Sequence, residues 1–523
     1  MIMSYSKFLL FALAASICAC NCTPDNQNAG NSGNKEPDEP VVVAPNDVTA
    51  WVTTGDRRTL FEKSTFEFGK PGSMSPYQVT YNLNETHQEI DGFGFAVTTA
   101  SGYLLMHMSE ADRTAFLKET FSREEGLGVS LIRIAIGASD FCLGDEYTYC
   151  DKAGLENFAV PAEDRQYLIP VLKEIYAINP DVKIIASPWS CPKWMKGGGS
   201  RGYEGYDTEI LEKSYDSWTS GRLKPSCYQA YADYFVKWIQ TMTAEGFDIY
   251  AMTMQNEPLN HGNSMSMYMP WKDQRDFIKV LGPTFEKAGI KTKILLFDHN
   301  YNYDNKDDQR NYPLNIYADP EAYRYAAGSA WHNYGGNVSE LDNIKAANPE
   351  KEIFFTESSI GTWNYDKDGV IGGNFEHCLL SEFQNIFIGT MARDCKGVTY
   401  WNIMLDQDRK PNSGHAGACT TCYGAVTLDS HNYKTITWNS QYYNVAHASS
   451  VIRQGARRIT HKAGFDLPGG MELQMFLNPD KTVGTVICNN SSTEQQLVFS
   501  STKHTVKYTV PAKALVSLIW SEE

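Results

Sequence analysis

The chain is short of positive charge. Its 523 residues carry 46 Lys and Arg against 62 Asp and Glu, a formal net charge of -16 at pH 7. A surface of this sign repels phosphate backbones, so it argues against nucleic acid and favours a neutral partner or substrate. Long apolar runs are missing beyond the first twenty residues, so no later segment is expected to cross a bilayer as a helix. Two catalytic signatures are missing as well: the phosphate loop Gly-x4-Gly-Lys-Ser/Thr and the His-Glu-x-x-His helix. Gly92-Phe93-Gly94 lacks the third glycine of a dinucleotide fingerprint. Of 12 cysteines, three precede residue 23. The remaining nine are an odd number, so at least one stays unpaired. His415, Cys419 and Cys422 follow a His-x3-Cys-x2-Cys spacing, but they give only three local ligands and no second cluster is evident. A loop disulfide or free thiols is expected there rather than zinc.

The N-terminus is expected to be processed. Lys7 and the apolar run Phe8 to Ile17 have the length of a secretory signal. Ile17-Cys18-Ala19-Cys20 resembles a bacterial lipobox. Residues 1–19 are then a signal peptide, Cys20 is the lipidated first residue, and the protein is expected in the bacterial cell envelope, at the outer membrane. Residues 20–46, rich in Asn, Gly, Pro, Asp and Glu, read as a disordered tether.

Beyond the tether, strand and helix alternate. Eight apolar, β-branched runs lie near Ile90–Val97, Val129–Ile136, Lys183–Pro188, Ile249–Asn256, Lys293–Phe297, Ala330–Tyr334, Ile353–Glu357 and Val398–Asn402. Helical spacing marks Glu110–Thr120, Arg165–Ile178, Tyr228–Glu245, Gln274–Ala288, Glu340–Ala347 and Cys378–Ala392. This alternation predicts an α/β fold, a (β/α)8 TIM barrel over residues 88–445. Short strands separated by polar turns then fill 446–523, and strand-like segments also occupy 47–87. Together they predict a β-sandwich made from both ends of the chain.

Two glutamates carry the chemistry. Glu257 ends strand four in Met254-Gln255-Asn256-Glu257-Pro258. Glu357 ends strand seven in Phe355-Thr356-Glu357-Ser358. Catalytic side chains of such barrels cluster where the strands end. Two carboxyls about 5 Å apart are what a retaining glycosidase needs, one as acid/base and one as nucleophile. We expect Glu257 to be the acid/base, with its proton held by the nearby carboxylate, and Glu357 to be the nucleophile. Asn256 can hold a sugar 2-hydroxyl. Arg133, ending strand two, is a candidate donor to the nucleophile. His332 and Tyr334 share a face of strand six and can orient Glu357 and the sugar. Trp189 and Trp401, after strands three and eight, can stack on sugar rings, and Asp140 can bind hydroxyls of the terminal sugar. The 30 Tyr, 24 Phe and 11 Trp suit sugar stacking, and they also suit a large core.

These motifs resemble glycoside hydrolase family 30, the family of glucosylceramidases and β-1,6-glucanases. The resemblance rests on Asp91-Gly92-Phe93-Gly94-Phe95, Arg133-Ile134-Ala135-Ile136-Gly137 and Asp140-Phe141. It continues through Ser187-Pro188-Trp189-Ser190, Gln255-Asn256-Glu257-Pro258, His332-Asn333-Tyr334, Thr356-Glu357-Ser358, Trp401-Asn402 and Arg453-Gln454-Gly455. It implies a barrel with an appended sandwich and metal-free, cofactor-free hydrolysis of β-linked sugars with retention. It places acid/base and nucleophile on Glu257 and Glu357, and sugar contacts on Asp140, Trp189, Asn256, His332, Tyr334 and Trp401. Phe95 and Ala135 depart from its glycine and proline. Arg409-Lys410-Pro411-Asn412 stands where Gly-Gly-Pro-Asn is common. A β-1,6-glucan is the expected substrate. An exo-acting β-glucosidase, a β-xylosidase and a glucosylceramidase are the alternatives within the family, and an inactive glycan-binding lipoprotein is the alternative outside it.

Overall fold

A computed structural model describes residues 47–69, 77–198, 208–301, 310–364, 374–463, 467 and 469–522. The expected signal segment, Cys20 and the tether lie outside the described residues.

Eight parallel strands close a barrel in chain order: Gly92–Ala96, Leu131–Ala135, Lys183–Ser187, Ile249–Thr253, Lys293–Asn300, Ala326–His332, Glu352–Glu357 and Cys395–Tyr400. The eighth pairs with the first through Gly397↔Gly92 to Tyr400↔Phe95. Period-two alternation gives the lumen its layers. Leu131, Ile185, Ala251, Leu295, Ala330 and Phe354 meet in one apolar layer. Gly397 keeps that layer passable, because a Cβ there would fall 2.6 Å from Leu131 Cδ2. Two residues further along their strands, Arg133, Ser187, Thr253, His332 and Thr356 form a polar layer.

At the opposite end, the first residues of the strands form a charged ring. Lys183 and Tyr250 bond Asp91 at 2.5 and 2.7 Å. Lys293 and Lys396 bond Glu352, with closest distances of 2.7 and 2.8 Å.

Helices form around the barrel where caps and spacing agree. Ser109 caps Glu110–Phe121 through the Asp112 amide, and Gly289, at φ 71°, ends Trp271–Ala288 in the left-handed region that favours glycine.

Among the described residues, nine strands form the sandwich, in the order Glu62–Glu67, Asp47–Thr54, Ala514–Ser521, Thr482–Asn489, Met471–Leu477, Arg457–Ala463, Tyr77–Glu89, Gln495–Ser500 and Thr505–Val510. Val48, Val79, Ile487, Val506 and Trp520, from distant parts of this order, share one core. Phe476, Val486 and Ile519 on the same strands join the core of the barrel instead.

Two boundaries differ from the sequence reading. Tyr77–Glu89 runs past residue 87, and the helix Ser440–Ser449 crosses the 445/446 boundary. That helix is buried at every position. Its His447 bonds Thr53 at 2.9 Å and Ser517 at 2.8 Å, so it stitches strands from both chain ends.

Candidate active site

The expected residues lie in the C-terminal halves of their strands or in the loops that follow, and these converge. A cleft of about 260 Å³ is lined by Asp140, Trp189, Asn256, Glu257, Tyr334, Glu357 and Trp401. Arg133 and His332 lie just beneath, with no exposed surface.

Arg133 organises the floor. Its Nη1 donates to Glu357 Oε2 at 2.6 Å, and its Nη2 donates to Asn256 Oδ1 at 2.6 Å and to Asp298 Oδ2 at 2.8 Å. Its guanidinium also lies 5.0 Å from the Trp189 ring and 5.6 Å from the Trp401 ring. These rings stack on each other, with centroids 4.9 Å apart.

Asp298 is a site residue that the sequence reading missed. Ser187, Thr253 and Thr356 hydroxyls donate to it at 2.7, 2.7 and 2.6 Å, beside Arg133 and His332. Phe297 and Asp298 both have positive φ, 71° and 69°, at an irregularity in strand five. The bend re-aims the Asp298 carboxylate into the lumen. The carbonyl of Asp298 accepts the Glu257 amide at 2.9 Å, which helps hold Glu257 at φ 45°. Positive φ at a non-glycine residue is backbone strain, and surrounding structure must hold it in place. Burial works against ionised Asp298, but Arg133, His332 and Thr356 outweigh it and keep the carboxyl well below the usual range.

Glu257 has its own donors. His332 Nδ1 lies 3.3 Å from Oε1, while Asn260 and Asn263 amides donate to Oε2 at 2.7 and 3.1 Å. Neither asparagine was singled out from sequence. Burial favours the protonated carboxyl, yet His299, His332 and Asn260 prevail and lower its pKa to about 2. His332 moves the other way. Burial disfavours its cation, but Glu357, Asp298 and Glu257 raise its pKa to about 9. The donors around Glu257 therefore work against the proton expected on it, while burial and the neighbouring Glu357 work for it. In the free site the neighbouring proton sits on His332. His332 also bonds Glu257 and Asp298 rather than orienting Glu357. That task falls to Arg133 and to the Tyr334 hydroxyl, which donates to Glu357 Oε1 at 3.1 Å. Burial raises the Glu357 pKa against the pull of His332 and Arg133. Asp140 is raised to about 8 by burial and by both glutamates, against the Cys419 amide that bonds its Oδ2 at 3.2 Å. Tyr334, 38% exposed, stands at the mouth.

Ligand atoms of Glu257, His332 and Glu357 lie within 4.8 Å of one another. As a cation site this trio is poor. Both His332 nitrogens face carboxylates, and Glu357 already holds a guanidinium. The same spacing suits sugar chemistry, because paired carboxyls of retaining enzymes stand about 5 to 5.5 Å apart and those of inverting enzymes about 6.5 to 9.5 Å. The expected Cys419–Cys422 spacing is a disulfide, and both cysteines line the cleft.

Residues 90–452 match the model of the glycosyl hydrolase family 30 TIM-barrel domain, and residues 455–518 match the family 30 beta sandwich domain. The chain belongs to glycoside hydrolase family 30. It is therefore a glycoside hydrolase. Among its family 30 relatives, the endo-1,6-beta-D-glucanase BGN16.3 of Trichoderma harzianum is 30% identical over 444 residues, 80% of this chain and 82% of that protein. The lysosomal acid glucosylceramidase of Mus musculus is 25% identical over 464 residues, 85% of this chain and 84% of that one. The solved structure of the endo-β1,6-glucanase BT3312 superposes with a TM-score of 0.84 at 47% identity, covering 91% of this chain and all of that one.

Proposed function

We propose that the protein hydrolyses β-1,6-linked glucan by double displacement, with retention at the anomeric carbon. The carrying observation is the facing pair Glu257 and Glu357, each held by its own donors, with oxygens within 4.8 Å. The linkage is supported by 47% identity to a solved endo-β1,6-glucanase.

In the first step an oxygen of ionised Glu357 bonds to the anomeric carbon as the bond to the leaving oxygen breaks. Arg133 and Tyr334 stabilise that carboxylate. Glu257 delivers a proton to the leaving oxygen, and His332, 3.3 Å behind it, supplies that proton. In the second step water attacks the anomeric carbon, Glu257 takes its proton and returns it to His332, and Glu357 departs. Asn256 has its oxygen bound by Arg133, so its amide nitrogen meets the sugar 2-hydroxyl. Trp189 and Trp401 wall the ring, and Asp140 meets hydroxyls on the far side.

Time-resolved product analysis on β-1,6-glucan and β-1,3-glucan tests this. A ladder of oligosaccharides from the 1,6-polymer is expected. Turnover of an aryl β-glucoside with no cleavage of the 1,6-polymer sinks the linkage and favours an exo-glycosidase.

We read the N-terminus as a lipoprotein signal acylated at Cys20, which would hold the enzyme at the bacterial envelope. The support is Lys7, the apolar run after it and Ala19 before the cysteine. Fatty-acid labelling that persists in Cys20→Ala would end that reading.

A further inference from the structure

The loop after strand eight touches the loops after strands two, four and seven. The Ser413 amide donates to the Asp140 carbonyl at 2.8 Å, and His415 Nε2 lies 3.1 Å from the Gly144 carbonyl. Both partners belong to the loop after strand two. Gly417, at φ 96°, presses on the loop after strand four, where a Cβ would fall 2.2 Å from the Gly262 carbonyl. That loop supplies Asn263 to Glu257. Cys422 forms a β-bridge with Gly361, and the Thr362 amide donates to the Thr421 carbonyl at 3.0 Å, which ties in the loop after Glu357. At the centre the Cys419 amide bonds Asp140 Oδ2 at 3.2 Å, and the disulfide closes a four-residue turn around that contact. The disulfide is a covalent brace beside these hydrogen bonds, and it joins the residue whose amide meets the Asp140 carboxyl.

We infer that the Cys419–Cys422 disulfide is a positioning element for glycone recognition, which it performs by aiming Asp140 into the cleft. With the bond present, one Asp140 oxygen is occupied by the loop and the other is left for sugar hydroxyls. With the bond absent, the turn loosens and the carboxyl loses its fixed direction. The inference rests on the reading of Asp140 as a sugar-binding residue. It does not depend on the linkage of the natural polymer.

The test is a double-mutant cycle read on 2,4-dinitrophenyl β-glucoside, whose good leaving group keeps weak variants measurable. The variants are Cys419→Ser/Cys422→Ser, Asp140→Ala and all three together. Loss of the disulfide is expected to raise KM about tenfold with a smaller change in kcat, and incubating the wild type with dithiothreitol is expected to reproduce the rise. In the Asp140→Ala background the same loss is expected to change KM by less than about twofold, since coupled residues are non-additive. Equal effects in both backgrounds overturn the inference and leave the bond a general loop staple. An Asp140→Ala enzyme with unchanged KM overturns the reading of Asp140 beneath it, and these two failures are told apart by the single variant.

Discussion

The two ends of the barrel lumen are built from the same strands and behave differently. At the N-terminal end, Lys183, Lys293 and Lys396 alternate with Asp91 and Glu352, each lysine part-exposed and each acid bonded to at least one ammonium. Every carboxylate of that ring has a cation beside it, and water reaches the cations.

At the C-terminal end, Arg133 and His332 face Asp298, Glu257 and Glu357, with Asp140 near both glutamates, all buried. There the groups are pushed apart: Asp298 and Glu257 down, Asp140 and His332 up. The apolar layer between the rings insulates one from the other. Water and paired charges leave the first ring as structure. Burial and a surplus of carboxylates make the second ring reactive.

Substitutions at the two rings sharpen this contrast. Glu357→Ala is expected to lower kcat by at least about 10⁴-fold without loss of stability, and azide should restore part of it. Glu257→Ala should slow substrates with poor leaving groups by about 10² to 10⁴-fold, sparing glycosyl-enzyme formation from good ones. Equal losses on both substrate types would remove Glu257 from the acid/base role. Arg133→Met strands the buried Asp298 carboxylate, so a stability loss of about 3 to 5 kcal/mol is expected from denaturant titration.

Two groups of the C-terminal ring, His332 and Asp140, make stability fall as pH rises toward 9. The folded pKa of His332, about 9, lies above the unfolded value near 6.5. Its contribution to stability is therefore full below pH 6.5 and is lost as pH rises through 9. Stability measured from pH 6.5 to 9.5 should fall in the wild type and fall less steeply in His332→Gln, with the slope that Asp140 gives remaining; parallel curves would remove His332 from the dependence. The smallest effect belongs to the opposite ring. Lys293→Met should cost about 1 kcal/mol or less, because the pair is part-exposed, and kcat/KM should be unchanged. A large loss of activity there would break the contrast between the ends.

Most of this arrangement was legible in the chain, for identifiable reasons. The barrel strands coincide with short apolar runs, though Gly92–Ala96 and Ala326–His332 contain no β-branched residue, and the catalytic candidates sit at or just past the runs' ends. Asp298 escaped because its run stops at Phe297, and the two positive-φ residues that turn its carboxylate inward leave no periodic trace. Asn260 and Asn263 lie in a loop, where spacing says nothing about aim. Ser440–Ser449 escaped for the opposite reason. A helix buried on all sides has no polar face, so it lacks the periodicity that marked the others. The proton on His332 was not legible at all, since it depends on charges that separate strands bring together.

The strand Ala514–Ser521 lies between Asp47–Thr54 and Thr482–Asn489. A segment synthesised after the whole barrel therefore fills the middle of a sheet whose first strand is made before the barrel begins. Until it arrives, Asp47–Thr54 is bonded on one side only, to Glu62–Glu67. The barrel can form during synthesis, but the sandwich that seals its flank closes only after all eight barrel strands have left the ribosome.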